Sequence, residues 1–186
     1  MRRSLVIVIA FAAAAGCSGR VEKDDRPAFT IDRTQPFWLE FGRGSAWHGL
    51  DTVKIDQTGR VVLNRMKSTW QENVEVLSWE VGSLQLPPEG VAEVVKAVES
   101  DGLMGLQKAY RHENVADGTQ WVVWIKQGEQ EKSVFFDNRF PPAITRFAEH
   151  LDAVLERAGL DKVEWQPVPE RESRQHEREL WDSIKR

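Results

Sequence analysis

The chain has 186 residues, with 25 Lys and Arg against 29 Asp and Glu, which gives a formal net charge of −4. This acidic balance disfavours binding to nucleic acid through a basic surface. Cys17 is the single cysteine, so an intramolecular disulfide and a thiolate metal cluster are both excluded. The length suits one globular core, and we expect no metal, no cofactor and no nucleic-acid partner.

The start of the chain has the layout of an export signal. Arg2 and Arg3 precede an apolar run over residues 5–15, and small residues lead up to Cys17. A helix that crosses a bilayer needs about 20 apolar residues, and this run is much shorter. The pattern therefore predicts an export signal and not a permanent transmembrane helix.

The residues Ala14-Ala15-Gly16-Cys17 resemble the lipobox of bacterial lipoproteins, although leucine is more frequent than alanine at the first position. The resemblance implies that residues 1–16 are a cleaved signal peptide and that Cys17 becomes an acylated amino terminus bound to membrane lipid. The alternative is cleavage at an A-x-A site within residues 13–15, which would leave a soluble secreted protein with a free thiol.

The residue after the cysteine bears on which membrane would hold the lipid-anchored protein. In Gram-negative lipoproteins an aspartate at this position retains the protein in the inner membrane, and here the residue is Ser18. The resemblance therefore implies a location in the cell envelope, at the outer membrane facing the periplasm if the organism is Gram-negative.

Composition divides the rest of the chain into three parts. Residues 17–36 are rich in charge and contain two prolines, which is typical of a tether. Residues 37–160 carry the periodic apolar patterns of a single domain. Residues 161–186 indicate a linker and a charged helix with ion pairs such as Glu170 to Arg174. The small apolar edge of this helix docks either on the domain or on a partner.

The domain is expected to be organised around a hairpin in residues 117–137, DGTQWVVWIKQGEQEKSVFFD. Two apolar runs flank a polar turn at residues 127–130, as in a β-hairpin. Because side chains alternate between faces, the first run is apolar on both sides. Helices should cover one side, and a partner, a lipid surface or the chain's own ends the other. The two sets are Trp121, Val123 and Ile125 on one face and Val122 and Trp124 on the other.

The remaining elements complete an α+β domain. Prolines at the start and a glycine at the end predict a helix from Leu86-Pro87-Pro88 to Gly102 and another from Pro141-Pro142 to Gly159. Together the patterns predict a mainly antiparallel sheet of about five to six strands, two helices on one face and a charged C-terminal helix. The other predicted strands are residues 37–41, 50–55, 60–66 and 74–81.

A glycine-rich segment at residues 42–49, GRGSAWHG, predicts an irregular loop. Trp47 and His48 at its tip are the candidate recognition residues, because loops often carry function. The alternative is that this pair packs back on the sheet. The chain has eight tryptophans, and their even scatter favours core packing over a sugar-binding role.

The sequence offers little for catalysis. The densest group of titratable residues, 110–113, has no adjacent serine or cysteine and favours a surface cluster. No H-E-x-x-H or G-x-S-x-G motif is present. A hydrolase or metal enzyme would have to use one of three histidines with a carboxylate. Those residues are His48, His112 and His150, with Asp117.

Three segments carry a further resemblance: FGRGSAWHGL, LPPEGVAEVVKAVESDGL and DGTQWVVWIKQGEQEKSVFFDNRFPPAITRFAEHL. They resemble small bacterial envelope domains and, more distantly, the emfourin family of metalloprotease inhibitors. The resemblance implies an α+β sheet with two helices. Because the hairpin and strand between residues 60 and 81 depart from the inhibitor pattern, no inhibitory residue is assigned by it.

These observations lead to one principal hypothesis and two alternatives. The principal one is a lipid-anchored, non-enzymatic envelope domain that binds a protein or another surface component. The first alternative is a lipoprotein protease inhibitor that would use the loop of Trp47 and His48. The second is the hydrolase or metal-dependent enzyme.

Overall fold

The computed structural model describes residues 19–112, 115 and 118–185, which form one nine-stranded sheet and three α-helices. Cys17, Glu113 and Asp117 lie outside the described residues. The helices are α1 (Pro88–Ser100), α2 (Pro142–Arg157) and α3 (Glu170–Ser183). The strands are β1 (Gly19–Glu22), β2 (Phe37–Ser45), β3 (Gly49–Asp56), β4 (Arg60–Gln71), β5 (Val74–Gln85), β6 (Ala109–His112), β7 (Thr119–Gln127), β8 (Gln130–Asp137) and β9 (Gln166–Val168).

The strand order across the sheet is β1-β6-β8-β7-β2-β3-β4-β5-β9. Neighbours are antiparallel except β6 and β8, which run parallel. The predicted central hairpin is confirmed as β7 and β8, with β7 between β8 and β2. The prediction of an α+β fold with a mainly antiparallel sheet is therefore confirmed.

Helices α1 and α2 cover one face of the sheet, as predicted. Both begin at prolines, which lack the backbone N–H that a first helical turn leaves unpaired. Their apolar stripes pack against alternate residues of the central strands in a single buried cluster. That cluster includes Phe41, Val123, Ile125 and Phe136 from the sheet, Val94 and Val98 from α1, and Ile144, Phe147 and Leu151 from α2.

Helix α3 covers the opposite face, so the chain's own C-terminal segment supplies the second cover. Leu180 is fully buried against Leu50, Val122 and Trp124, and the Trp181 ring meets the Phe135 ring edge-on at 5.5 Å. The apolar edge predicted for this helix therefore docks on the domain. Its ion pair between Glu170 and Arg174 is also present, at 2.6 Å.

Two details fit α3 closely to the sheet. Gly42 of β2 has no side chain, and a Cβ there would lie 2.6 Å from Leu180 Cδ2. The buried Ser173 hydroxyl donates a hydrogen bond of 2.9 Å to the Asn64 side-chain oxygen. Because an unpaired buried polar group is costly, this mutual satisfaction fixes where the start of α3 sits.

The number of strands differs from the prediction of five to six. Strands β1, β6 and β9 have only four, four and three residues, too few for an alternation pattern to be recognised. The loop predicted for residues 42–49 is also wrong in part. Strand β2 continues to Ser45 through its two glycines, and only residues 46–48 form the turn.

The described part of the segment predicted as a tether, residues 19–36, contacts the domain at several points. Strand β1 pairs with β6, and Ile31 is buried in the main core. Farther along, the Gln127 side chain accepts a hydrogen bond from the Asp32 N–H and donates one to the Asp32 carbonyl, at 2.9 and 2.7 Å. The division into a domain at residues 37–160 with two flanking segments stays a prediction.

A buried ion pair between Asp24 and Lys132 fixes the middle of residues 19–36 to strand β8. Asp24 and Lys132 of β8 lie 2.8 Å apart, with side chains only 4% and 5% exposed. Burial alone would raise the pKa of Asp24, but hydrogen bonds from Arg26 and Lys132 outweigh it and lower the pKa to about 2. The charges that indicate a solvated tether in the sequence are thus partly used inside the fold.

Replacing Leu180 by Ala should lower the free energy of unfolding by about 2–4 kcal/mol, because the change leaves a cavity between α3 and the sheet. Urea unfolding monitored by tryptophan fluorescence measures the loss. Arg178→Ala, at an exposed position of the same helix, serves as the control and should cost less than about 0.5 kcal/mol. Equal, small effects of the two changes would contradict the docking of α3.

Candidate functional site

A two-stranded ribbon projects from the sheet where β4 and β5 extend beyond the ends of the neighbouring strands β3 and β9. Strand β3 pairs with β4 only as far as Asn64, and β9 pairs with β5 only from Trp79 onward. Every residue from 67 to 76 is exposed. An isolated pair of strands is marginal in water, so a projecting ribbon of this kind has little internal stabilisation.

A tight turn joins the two strands of the ribbon. Glu72 and Asn73 form it, with φ angles of 48° and 65°. Two consecutive positive φ values are typical of the type I′ turn, whose twist matches that of an antiparallel hairpin. Because glutamate rarely adopts this conformation, the sequence did not predict how residues 68–73 connect.

The ribbon is apolar on both faces. Trp70 lies opposite Glu75 in the register, so their side chains share one face, while Val74 and Val76 alternate to the other. Trp70 is 73% exposed, Val74 63% and Val76 38%. Surface patches of this kind often mark sites of interaction.

The turn between β2 and β3 contacts the ribbon. The Nε2 atom of His48 lies 3.4 Å from Glu75 Oε1, and that oxygen also accepts a hydrogen bond of 2.5 Å from the Ser68 hydroxyl. Trp47, beside His48, is 71% exposed. The contact therefore places the turn that carries Trp47 next to Glu75, the residue opposite Trp70 in the ribbon.

We call this surface the hairpin-tip patch. It is made of two hairpin ends and combines exposed indole and valine side chains with an imidazole and a carboxylate. Sequence reasoning selected Trp47 and His48 but missed the ribbon, whose only signal was a tryptophan in a stretch of polar residues. The patch consists of Trp47, His48, Trp70, Val74, Glu75 and Val76.

The other six tryptophans contact the body of the protein, which agrees with their predicted packing role. Trp38 meets Trp124 edge-on at 5.6 Å, and Trp121 meets Phe41 in the same way. Trp181 packs on Phe135. Trp47 and Trp70 are the two with more than two-thirds of their surface in water, which sets them apart. The remaining pairs are Trp165 under Arg65, and Trp79 under Arg174.

The histidines named for a possible enzyme lie on three separate elements. His48 is in the turn after β2, His112 ends β6 and His150 is on α2. His150 Nδ1 lies 2.7 Å from Asp101 Oδ2. Asp101 is the C-terminal cap of α1. This contact joins α1 to α2 and gives His150 a structural role. Within the described ranges, no group of three His, Cys, Asp or Glu side chains is placed to hold a metal ion.

A groove beside α2 is lined by charged groups that are already paired. Arg43 forms two hydrogen bonds with Asp152, at 2.6 and 2.7 Å. Arg65 lies 2.6 Å from Glu80 and stacks on Trp165 at 3.7 Å. An anionic ligand would have to displace these carboxylates, so the groove is a weaker candidate than the hairpin-tip patch.

Glu40 lies beneath α3 and has a raised pKa. Its side chain is 1% exposed, and burial raises its pKa to about 7 although Lys54 lies 3.7 Å away. Glu179 of α3 raises the pKa further. Perturbed groups often mark reaction sites, but this one is enclosed by α3 and is not in an open cleft.

Comparison of the chain with protein-family models and with curated proteins found no match. None of the described helices is long and apolar enough to cross a bilayer.

Glu40→Gln should make stability less dependent on pH. Because the folded protein raises the pKa of Glu40 from 4.5 to about 7, its contribution to stability is greatest at low pH and is lost as the pH rises through 7. The unfolding free energy of the variant minus that of the native protein should therefore increase by roughly 2 kcal/mol between pH 5 and pH 8. Urea unfolding at both pH values measures it.

Glu164→Gln, a change at an exposed glutamate, is the control and should leave the pH dependence of the native protein intact. If Glu40→Gln and the native protein lose stability in parallel over this range, Glu40 is not the titrating group.

Proposed function

We propose that the protein is a lipid-anchored, non-enzymatic component of the cell envelope that binds a protein partner through the hairpin-tip patch. The observation that carries the proposal is the pair of exposed tryptophans, Trp47 and Trp70, on two hairpin ends joined by the contact between His48 and Glu75. The anchor is the acylated Cys17 expected from the lipobox.

The anchor rests on the signal layout and on the energetics of acyl chains. Each buried methylene contributes about 0.8 kcal/mol to membrane binding, so several chains on one residue hold a protein stably where one chain is marginal. If the organism has two membranes, Ser18 in place of aspartate supports the outer membrane facing the periplasm as the location.

The patch has the chemistry of a protein-binding surface. Tryptophan is enriched among the residues that dominate binding energy, in apolar centres surrounded by a polar rim. Burying the exposed parts of Trp47 and Trp70 would contribute roughly 3 kcal/mol each before the costs of association. Lys67, Glu72 and Glu75, which are exposed on the same ribbon, would form part of the rim.

A projecting ribbon also favours a concave partner. Because Trp70 and the two valines lie on opposite faces of the ribbon, a cleft that encloses both faces would bury more apolar surface than a flat partner. A protease cleft is one such surface, so the inhibitor hypothesis becomes an outcome of the experiment below and is distinguished by the identity of the partner.

The test is photo-crosslinking in cells from the native, full-length chain. A photoreactive phenylalanine analogue replaces Trp47 or Trp70 in separate strains and replaces Glu129, in the exposed turn between β7 and β8, as the control. We expect the same protein adduct from both tryptophan positions and none from Glu129. Adding Val74→Ser should reduce the adduct at Trp70 several-fold while changing the unfolding free energy by less than about 0.5 kcal/mol.

The same preparations test the anchor, because the intact mass of the purified protein shows whether its first residue is an acylated Cys17. A water-soluble product with an unmodified thiol would overturn the anchor. Adducts to lipid alone, or equal protein adducts at all three positions, would overturn the binding role of the patch.

A further inference from the structure

The chain between the expected lipid and the folded domain is very short. Gly19, the first residue that the structure describes, already lies in β1, and in the sequence Ser18 alone separates it from Cys17. Consecutive Cα atoms are 3.8 Å apart, which limits the distance between the Cα atoms of Cys17 and Gly19 to about 8 Å. An acylated Cys17 would therefore hold the start of β1 within about 10 Å of the bilayer surface.

The start of β1 is fastened to the domain and does not act as a free linker. Four residues of β1 pair with β6 in antiparallel register, and Glu22 lies 3.1 Å from Arg111 of β6. The buried ion pair between Asp24 and Lys132 follows directly. Arg26 then donates a hydrogen bond to the Ser133 carbonyl, at 3.1 Å.

The exposed side chain next to Gly19 carries a charge that a phospholipid headgroup would bind favourably. Arg139 packs against Gly19, so closely that a Cβ there would lie 2.7 Å from its Nη1 atom, and that atom is itself buried. Arg20, which is exposed, forms no ion pair with any described residue. Guanidinium groups bind phosphate well, often through two hydrogen bonds.

The geometry points to a domain that lies directly on its membrane, with the end of β1 that carries Gly19 and Arg20 against the phospholipid headgroups. This inference rests on the acylation of Cys17 in the proposed function. It replaces a domain on a flexible tether by one with a fixed orientation, and it assigns this end of the sheet to the bilayer.

The register shows which end of the central hairpin should be near the lipid. Gly19 pairs with His112, Arg111 with Asp137, and Asp137 with Gln120. The first residue of β7, Thr119, thus lies at the anchored ends of the strands, three strand spacings or roughly 14 Å from β1. Glu129 lies at the far end of the same hairpin, roughly 27 Å away along β7.

These two exposed positions form a matched pair for fluorescence quenching. Thr119→Cys and Glu129→Cys are each made in the full-length chain, where acylation of Cys17 leaves the new cysteine as the free thiol for a small fluorophore. The lipidated proteins are reconstituted into vesicles of phosphatidylethanolamine and phosphatidylglycerol that contain a phospholipid with a spin-labelled headgroup. The label at Thr119 should be quenched at least about threefold more than that at Glu129, given their separation along the hairpin.

A second pair of proteins carries a Gly/Ser linker of about 20 residues between Ser18 and Gly19, which has an r.m.s. span of roughly 25 Å. The lipid and the domain are unchanged, and the difference between the two labels should disappear. Equal quenching in the proteins without the linker would overturn the inference, as would a difference that survives the linker.

The mass of each reconstituted protein separates the two possible failures. A protein that lacks the acyl chains and stays out of the vesicles contradicts the lipid anchor itself. An acylated, vesicle-bound protein with equal quenching at Thr119 and Glu129 leaves the anchor in place and contradicts the orientation.

Discussion

The sheet depends on two covers, because its central strand β7 is apolar on both faces. Val123 and Ile125 pack under α1 and α2, and Val122 and Trp124 pack under α3. A strand with this pattern cannot lie at a solvated surface without exposing several large side chains to water, each worth about 1.5–3 kcal/mol when buried. Both helical layers are therefore required, and the second layer comes from the end of the chain.

This requirement determines which parts of the molecule remain available for binding. The C-terminal helix is used to complete the domain, and the N-terminal segment is held by β1, Asp24 and Ile31. What projects is the ribbon of β4 and β5, which neither helical layer reaches. Among the described residues, the surfaces left for partners thus include the hairpin-tip patch and the end of β1 next to the proposed anchor.

Much of the fold could be predicted from local patterns. The hairpin of β7 and β8 followed from its β-branched and aromatic runs, and α1 and α2 followed from their proline starts and apolar stripes. The short strands β1, β6 and β9 could not be predicted, because each forms only through pairing with residues distant in sequence. The burial of Asp24 was missed for the same reason, since its partner Lys132 is more than a hundred residues away.

Only half of the candidate site could be predicted from the sequence. A glycine-rich segment drew attention to Trp47 and His48, although the glycines serve the strand β2 and its contact with Leu180. Trp70 was expected to be a sheet residue that packs, and it does lie in a strand. Its exposure results from the ends of β3 and β9, which stop short of the ribbon, and the sequence carries no local signal of where a neighbouring strand stops.

Hydrogen exchange on the full-length protein tests most directly the claim that residues 19–32 and α3 are fixed while the ribbon is free. The amides of β1 and α3 should be protected, although less than those of β7, and residues 67–76 should exchange fastest among the strands. Exchange of residues 19–32 as fast as that of the ribbon would show that the segment is a tether and would contradict this account.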